Sequence, residues 1–108
     1  MYISNITFVL HPEERDRFLS WLRSDLIPVL FNTESPARSP RVQTVVEVAG
    51  QVPDSSHGLS IALQAEFDSV ADAHLWTDNF LHPAAGKFTA AFGPEALYFQ
   101  TLLETLPL

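Results

Sequence analysis

Residues 59–67, LSIALQAEF, carry the clearest two-residue period of the chain. Apolar side chains stand at Leu59, Ile61, Leu63, Ala65 and Phe67, and the positions between them are small or polar. Strict alternation over this length is typical of a β-strand with one buried face. The segment therefore predicts a strand that lies on a hydrophobic core.

The segments on both sides of this strand extend the pattern in a fixed order. Alternation predicts further strands at residues 2–10, 42–48 and 95–103, and helical spacing of apolar residues predicts helices at 12–30 and 70–92. The order β-α-β-β-α-β predicts a four-stranded antiparallel sheet with both helices on one face. We therefore expect one α+β domain of the ferredoxin-like type over residues 1–108.

Helix boundaries are marked by residues with known capping and breaking behaviour. Ser69 is expected to cap the second helix, and Gly93, followed by proline, is expected to end it. Pro28 should kink or end the first helix and Pro83 should interrupt the second, because proline lacks a backbone N–H. Residues 31–40 have no periodic signal and are predicted to form a loop.

The last strand has apolar residues on both faces, and we assign Leu97, Phe99 and Leu103 to the face that contacts the helices. The opposite face of the sheet is then mixed in character. Its members are Ile3, Asn5, Thr7, Val9, Gln43, Val45, Glu47, Ala62, Gln64, Tyr98 and Leu102. Such a face predicts a partly hydrated homodimer that packs sheet on sheet, and an ordinary solvated face is the alternative.

Composition excludes several classes of partner and chemistry. Thirteen acidic and six basic residues give a formal net charge of −7, so neither nucleic acid nor an acidic membrane surface is an expected partner. The chain has no cysteine, which excludes disulfides and thiolate chemistry. There is no signal-peptide pattern, membrane span or cofactor-binding motif. We expect a soluble, cytoplasmic protein without a cofactor.

Histidines are the first candidates for chemistry. His74, Asp78 and His82 share one helical face, but the outer two lie too far apart for one ion, so no metal site is predicted. His57 lies in the predicted loop 49–58 beside acidic and hydroxyl residues, where it could act as a general base. His11 is better explained as part of a helix boundary, since proline follows it.

Aromatic residues are the second group of candidates. Trp21 lies off the main apolar stripe of the first helix, which favours an edge or interface position, whereas Trp76 has core spacing. Tyr98, assigned to the mixed sheet face, could offer its hydroxyl to a cavity. The predicted ligand-binding residues are therefore Tyr98, Trp21, His57 and His74, and no catalytic residues are assigned.

Three stretches resemble a small bacterial family known as domain of unknown function 4286. They are the segment Phe18–Leu22 together with Ile27–Leu30, the Phe92-Gly93 helix stop, and the terminal strand Phe99–Glu104. The resemblance implies a ferredoxin-like fold and a dimer of the α+β barrel type. It implies no activity and supplies no catalytic residue.

The sequence thus leaves three functions open. The first is a small homodimer that binds a ligand or partner through its mixed sheet face and loops. The second is an enzyme similar to the cofactor-independent monooxygenases or isomerases of the dimeric α+β barrel class, with Tyr98, His57 or His74 acting on an aromatic substrate. The third is an accessory subunit whose mixed face binds a different protein.

Overall fold

The computed structural model of the chain describes residues 1–46 and 58–108. Its strands are β1 (Tyr2–Leu10), β2 (Arg38–Thr44), β3 (Leu59–Phe67) and β4 (Leu97–Glu104). They form one antiparallel sheet in the order β2-β3-β1-β4, the order that two interleaved β-α-β units produce. The predicted α+β, ferredoxin-like architecture is confirmed.

Two helical segments cover one face of this sheet. Helix α1 (residues 12–30) comprises Pro12–Glu14, Arg15–Trp21, Leu22–Leu26 and Ile27–Leu30, and helix α2 (residues 70–92) comprises Val70–Trp76, Thr77–Leu81 and His82–Phe92. Ser69 caps α2 as predicted, because its Oγ accepts a bond from the Asp72 N–H. Gly93, with a φ of 89°, ends α2. In the described part of the chain, neither helix has the length and apolar character needed to cross a membrane.

Both helices continue past their prolines. Pro28 and Pro83 each follow a π-helical turn. In such a turn the backbone N–H donates to the carbonyl five residues earlier, as the N–H of Ile27, the residue before Pro28, does to the carbonyl of Leu22. We attribute the continuity to this wider turn, which gives the proline ring room beside the preceding turn. Helix α1 continues past Pro28 to Leu30, and in α2 a second α-helical piece starts at His82, close to the predicted interruption at Pro83.

The two helices also share a local pattern. Trp21, Leu26 and Pro28 of α1 recur at the same spacing in α2 as Trp76, Leu81 and Pro83. The two tryptophans differ in their surroundings. Trp76 is fully buried and its indole N–H donates to the carbonyl of Leu30 at 2.8 Å, whereas Trp21 is half-buried. Trp76 therefore ties α2 to the end of α1.

Aromatic rings fill the core between the sheet and the helices. The ring of Phe8 on β1 lies 5.1 Å from that of Phe18 on α1 and 5.0 Å from that of Phe88 on α2. Phe67 on β3 lies 5.2 Å from Trp76. Because each contact joins different elements, this packing fixes both helices on one face of the sheet.

The side-chain directions of β4 are opposite to the prediction. Tyr98 pairs with Phe8, and Phe8 is buried against the helices. Tyr98, Gln100 and Leu102 therefore face the helices, whereas Leu97, Phe99 and Leu103 lie on the sheet face opposite the helices, which we name the open face. Alternation could not decide between the two directions, because apolar residues occupy both.

A hydrogen-bonded bridge allows a glutamine on the helix-facing side. Gln100 Nε2 donates to Ser4 Oγ at 3.0 Å and to Thr77 Oγ1 at 2.8 Å. Ser4 is fully buried, so its hydroxyl needs a partner to avoid the cost of an unpaired polar group. The bridge thus joins β1, β4 and α2 and satisfies that requirement.

Strand β2 starts earlier than predicted. It begins at Arg38, inside the predicted loop 31–40, and its pairing with β3 shifts register between Arg38 and Arg41. Ser39 has a positive φ of 56°. This bulge breaks the two-residue period, which is why the pattern gave no strand signal there. The predicted strand end at 47–48 and predicted loop positions 49–57 lie outside the described residues.

We predict that Trp76→Phe lowers the free energy of unfolding by about 2–4 kcal/mol, because the smaller ring leaves a void and the Leu30 carbonyl keeps only the bond from Ser35 Oγ. Trp21→Phe is the matched control and should cost about 1 kcal/mol or less, since Trp21 is half-buried. Urea unfolding of both variants measures the difference. Equal losses would show that the Trp76 bond does not link the helices.

Candidate functional site

A cleft lies at the end of the sheet where β1 ends and β4 begins. Antiparallel pairing places Val9 opposite Leu97, so the residues after β1 lie beside those before β4. As a result, His11 Nε2 and Glu95 Oε2 are 3.0 Å apart. An imidazole and a carboxylate from distant parts of the chain thus form a hydrogen-bonded pair at the cleft.

Glu95 raises the pKa of His11 above its ordinary value near 6.5, chiefly through this hydrogen bond. Desolvation opposes the rise in pKa, and the charges of Glu95, Glu13 and Glu14 add to it. The side chains of His11 and Glu95 are 64% and 80% exposed, so the pair contributes little to stability. The hydrogen bond instead orients the imidazole of His11. An imidazole held in this way by a carboxylate can exchange a proton with a bound group.

Arg17 fixes one wall of the cleft. Its Nε donates to Glu14 Oε2 at 2.6 Å, and its Nη1 donates to the carbonyl of Ala91 at 2.9 Å. The guanidinium carbon lies 4.1 Å from the centre of the Phe92 ring. The hydrogen bond from Arg17 is the main cause that lowers the pKa of Glu14. The three contacts of Arg17 together hold the start of α1 against the end of α2.

Gly58 closes the cleft from the start of β3. Its φ is +82°, and a Cβ atom at this position would lie 2.5 Å from the carbonyl oxygen of Leu10. Only glycine fits this close approach without displacing the backbone. The end of β1 and the start of β3 therefore lie close together beside His11.

The cleft has a volume of about 330 Å³, which is within the range of small-molecule pockets. Apolar side chains and two glutamates with His11 form its surface. The lining residues are Val9, Leu10, His11, Pro12, Glu14, Gly58, Phe92, Glu95, Ala96 and Leu97. We name this feature the sheet-end cleft.

Trp21, a predicted ligand-binding residue, lines a second cavity of about 390 Å³ between α1 and α2. Phe80, Pro28 and Pro83 also line it, and its charged residues are Asp25 and Lys87. The Trp21 ring also packs against Phe18 and Phe92, with centroids 5.9 and 5.5 Å away. Trp21 therefore belongs partly to the core and partly to the surface of this interhelical cavity.

The other predicted site residues lie apart from one another. Tyr98 is half-buried on the helix-facing side of the sheet, with its ring centroid 6.2 Å from that of Phe8, rather than on the mixed face where it was expected. His74 is exposed on α2. His57 lies outside the described residues. Within residues 1–46 and 58–108, no group of three His, Asp or Glu side chains could hold a metal ion.

The sequence reasoning missed the pairing of His11 with Glu95. The sequence indicates a helix boundary at His11 and predicts Glu95 as the first residue of the last strand rather than as a partner of His11. The available signal was topological, because the predicted fold pairs the first and last strands in antiparallel fashion. That pairing places the residue after the first strand beside the residue before the last.

The chain belongs to the family described as Domain of unknown function (DUF4286), whose model matches residues 1–106. This confirms the family suggested by the resemblance of the two ends of the chain. No curated protein matches the chain.

Solved structures of several proteins share the fold. An ethyl tert-butyl ether D (EthD) family protein from Bacillus halodurans is 16% identical, with a TM-score of 0.67, over 98% of this chain and 100% of that one. A putative antibiotic biosynthesis monooxygenase from Deinococcus radiodurans is 13% identical, with a TM-score of 0.67, over 100% and 95%. A dimeric protein of unknown function and ferredoxin-like fold from Bacteroides fragilis is 20% identical, with a TM-score of 0.58, over 96% of each chain. At these identities the likeness establishes the fold.

We predict that Glu95→Gln lowers the pKa of His11 toward its ordinary value, because the variant removes the main cause of the rise. Glu13→Gln is the control and should lower that pKa by less, since Glu13 acts only through its charge. Imidazole chemical shifts followed by NMR across pH report both values. In the native protein the pair stabilises the fold below the unfolded-state pKa, and this contribution is lost as pH rises through the folded pKa. An unchanged titration in Glu95→Gln would contradict the pairing.

Proposed function

We propose that the protein is a homodimer whose protomers pack through the open faces of their sheets. We further propose that the sheet-end cleft binds a small ligand with an apolar body and a cationic head. The observation that carries the proposal is the run of exposed apolar side chains on the open face of β4. A cytoplasmic location belongs to the same proposal and is supported by the absence of cysteine.

The open face exposes large apolar groups along β4. Leu97, Phe99 and Leu103 are 51%, 58% and 47% exposed and lie on the same side of this strand, with Thr101 between Phe99 and Leu103. Their partners on β1 include Val9 beside Leu97 and Ile3 beside Leu103. Single exposed apolar residues are common, but a contiguous patch on one sheet face is typical of an interaction surface.

A second copy of the chain fits this face in size and kind. Four strands spaced by about 4.8 Å and nine residues rising by about 3.3 Å each give a face of roughly 20 by 30 Å. That area approaches what each partner contributes to a standard protein interface. The structural neighbour from Bacteroides fragilis is described as dimeric, which supports a homodimer over a different partner.

The sheet-end cleft adjoins this interface. Val9 and Leu97 line the cleft and also lie on the open face, so a partner packed there would border the ligand. Glu14, Glu95 and the nearby Glu13 carry three negative charges against the one positive charge of Arg17 when His11 is neutral, which favours a cationic group over an anionic one. Phe92 supplies an aromatic wall for the apolar body of the ligand.

The residues predicted from sequence keep a place in this proposal with unequal support. Trp21 is supported as a ligand contact by its position in the interhelical cavity. Tyr98 is supported by its half-buried ring, and His74 by its exposure on α2. His11 and Glu95 now have stronger geometric support than any of these.

We predict that Phe99→Glu weakens the dimer by about 100-fold or more, because the twofold axis places the buried charge in the interface twice. Folding should be retained, since Phe99 is 58% exposed in the protomer. Leu75→Glu is the matched control, with a 47% exposed leucine on α2, and should leave the dimer intact. Sedimentation equilibrium measures each association. A monomeric wild type, or an unaffected Phe99→Glu dimer, would overturn the proposed interface.

We predict that benzylamine binds the sheet-end cleft with a Kd of about 1–10 mM at pH 8, whereas benzoate binds at least about 5-fold more weakly. The two probes share a ring and differ in charge, so the comparison isolates the acidic character of the cleft. Amide shifts in NMR spectra should change around His11 and Ala96. Glu95→Gln should weaken benzylamine alone. Equal binding of both probes, or shifts confined to other surfaces, would contradict the assigned ligand class.

A further inference from the structure

A polar ladder crosses the middle of the open face. Gln64 Nε2 on β3 donates to Asn5 Oδ1 on β1 at 3.3 Å, and Asn5 Nδ2 donates to Thr7 Oγ1 at 3.2 Å. All three side chains are half-buried already in the single protomer. The ladder lies between two apolar groups, Ile3 with Leu103 at one side and Val9 with Leu97 at the other.

The ladder has a direction, and its two ends are chemically complementary. The Thr7 hydroxyl accepts from Asn5 and so has its own proton left to donate. The Gln64 amide nitrogen is used within the ladder, which leaves its Oε1 as an acceptor. Among the described residues, neither the Thr7 proton nor the Gln64 Oε1 is bonded to another side chain.

We propose that the two ladders of the homodimer bond to each other, with Thr7 of one protomer donating to Gln64 of the partner subunit and the reverse bond formed by symmetry. A twofold axis in the plane of the interface, midway between these two positions, produces both contacts at once. This inference rests on the proposed homodimer. It adds the pair of residues that sets how one sheet is placed on the other.

The cost of burying polar groups favours this arrangement over other placements of the sheets. A dimer that covered the ladder without pairing its ends would bury two hydroxyl protons and two amide oxygens without partners. The apolar pairs Ile3–Leu103 and Val9–Leu97 would exclude water along the strands. The neighbours of the ladder across the strands are Arg41 beside Gln64 and Thr101 beside Asn5. A placement that pairs Thr7 with Gln64 of the partner subunit removes this penalty, so the ladder selects the register of the dimer.

The test mixes two single variants, Thr7→Val and Gln64→Met, and measures exchange by native mass spectrometry. In each variant homodimer, both bonds between protomers are lost. The Thr7→Val dimer buries two Gln64 Oε1 atoms without donors, and the Gln64→Met dimer buries two Thr7 hydroxyls without acceptors. In the mixed dimer, one complete Thr7–Gln64 bond remains and the other contact is apolar on both sides, which is nearly neutral. We expect the mixed dimer to exceed about three-quarters of the total, against one half for two mass-labelled wild-type chains.

The bonds within each protomer are the same in homodimers and mixed dimers, so a purely structural role of these residues leaves the exchange random. The double variant Thr7→Val/Gln64→Met provides a second readout, because its contacts are apolar on both sides and its dimer should be tighter than that of either single variant. A mixed-dimer fraction of one half overturns the paired ladders and leaves the homodimer standing. A wild type that stays monomeric at all concentrations overturns the homodimer as well.

Discussion

The antiparallel pairing of β1 with β3 on one side and with β4 on the other is the constraint on which the remaining structure depends. It places Phe8 opposite Ile61 and Tyr98, which directs one side of three strands toward the helices. The same register brings His11 to Glu95 beyond the end of the strands and sets Asn5 against Gln64 on the open face. A shift of one residue in this pairing would move every one of these side chains to the other face.

The two faces of the sheet are completed in different ways. Aromatic rings and the Trp76–Leu30 bond close the helix-facing side within one chain, and the Gln100 bridge satisfies the buried Ser4. In the part of the chain that the structure describes, the open face has no such cover. Its apolar residues on β4 and its polar ladder would both gain from burial against a surface of matching pattern, which a second copy would supply in the proposed homodimer. The sheet-end cleft lies where the two faces meet, so the proposed dimer interface and the proposed ligand site would share residues.

Much of the fold could be predicted from the sequence because β3 has apolar core residues on one side and small or polar residues on the other, and because Asn5 and Thr7 mark the outer side of β1. The direction of β4 could not, because Leu97 and Phe99 compete with Tyr98 for the core and only pairing with β1 decides between them. The rule that proline ends a helix failed at Pro28, where a wider helical turn lets the helix continue to Leu30. The His11–Glu95 pair depends on topology rather than on local sequence, so residue spacing alone gave no sign of it.

Isotope-filtered nuclear Overhauser spectroscopy on an equimolar mixture of labelled and unlabelled chains tests the central claim most directly, because it detects only contacts between protomers. The open-face dimer predicts cross-peaks from the Phe99 ring and from the methyl groups of Ile3 and Leu103 to the other chain. Cross-peaks confined to the outer surface of the helices, such as those of Leu75, would contradict it, as would a spectrum without contacts between chains.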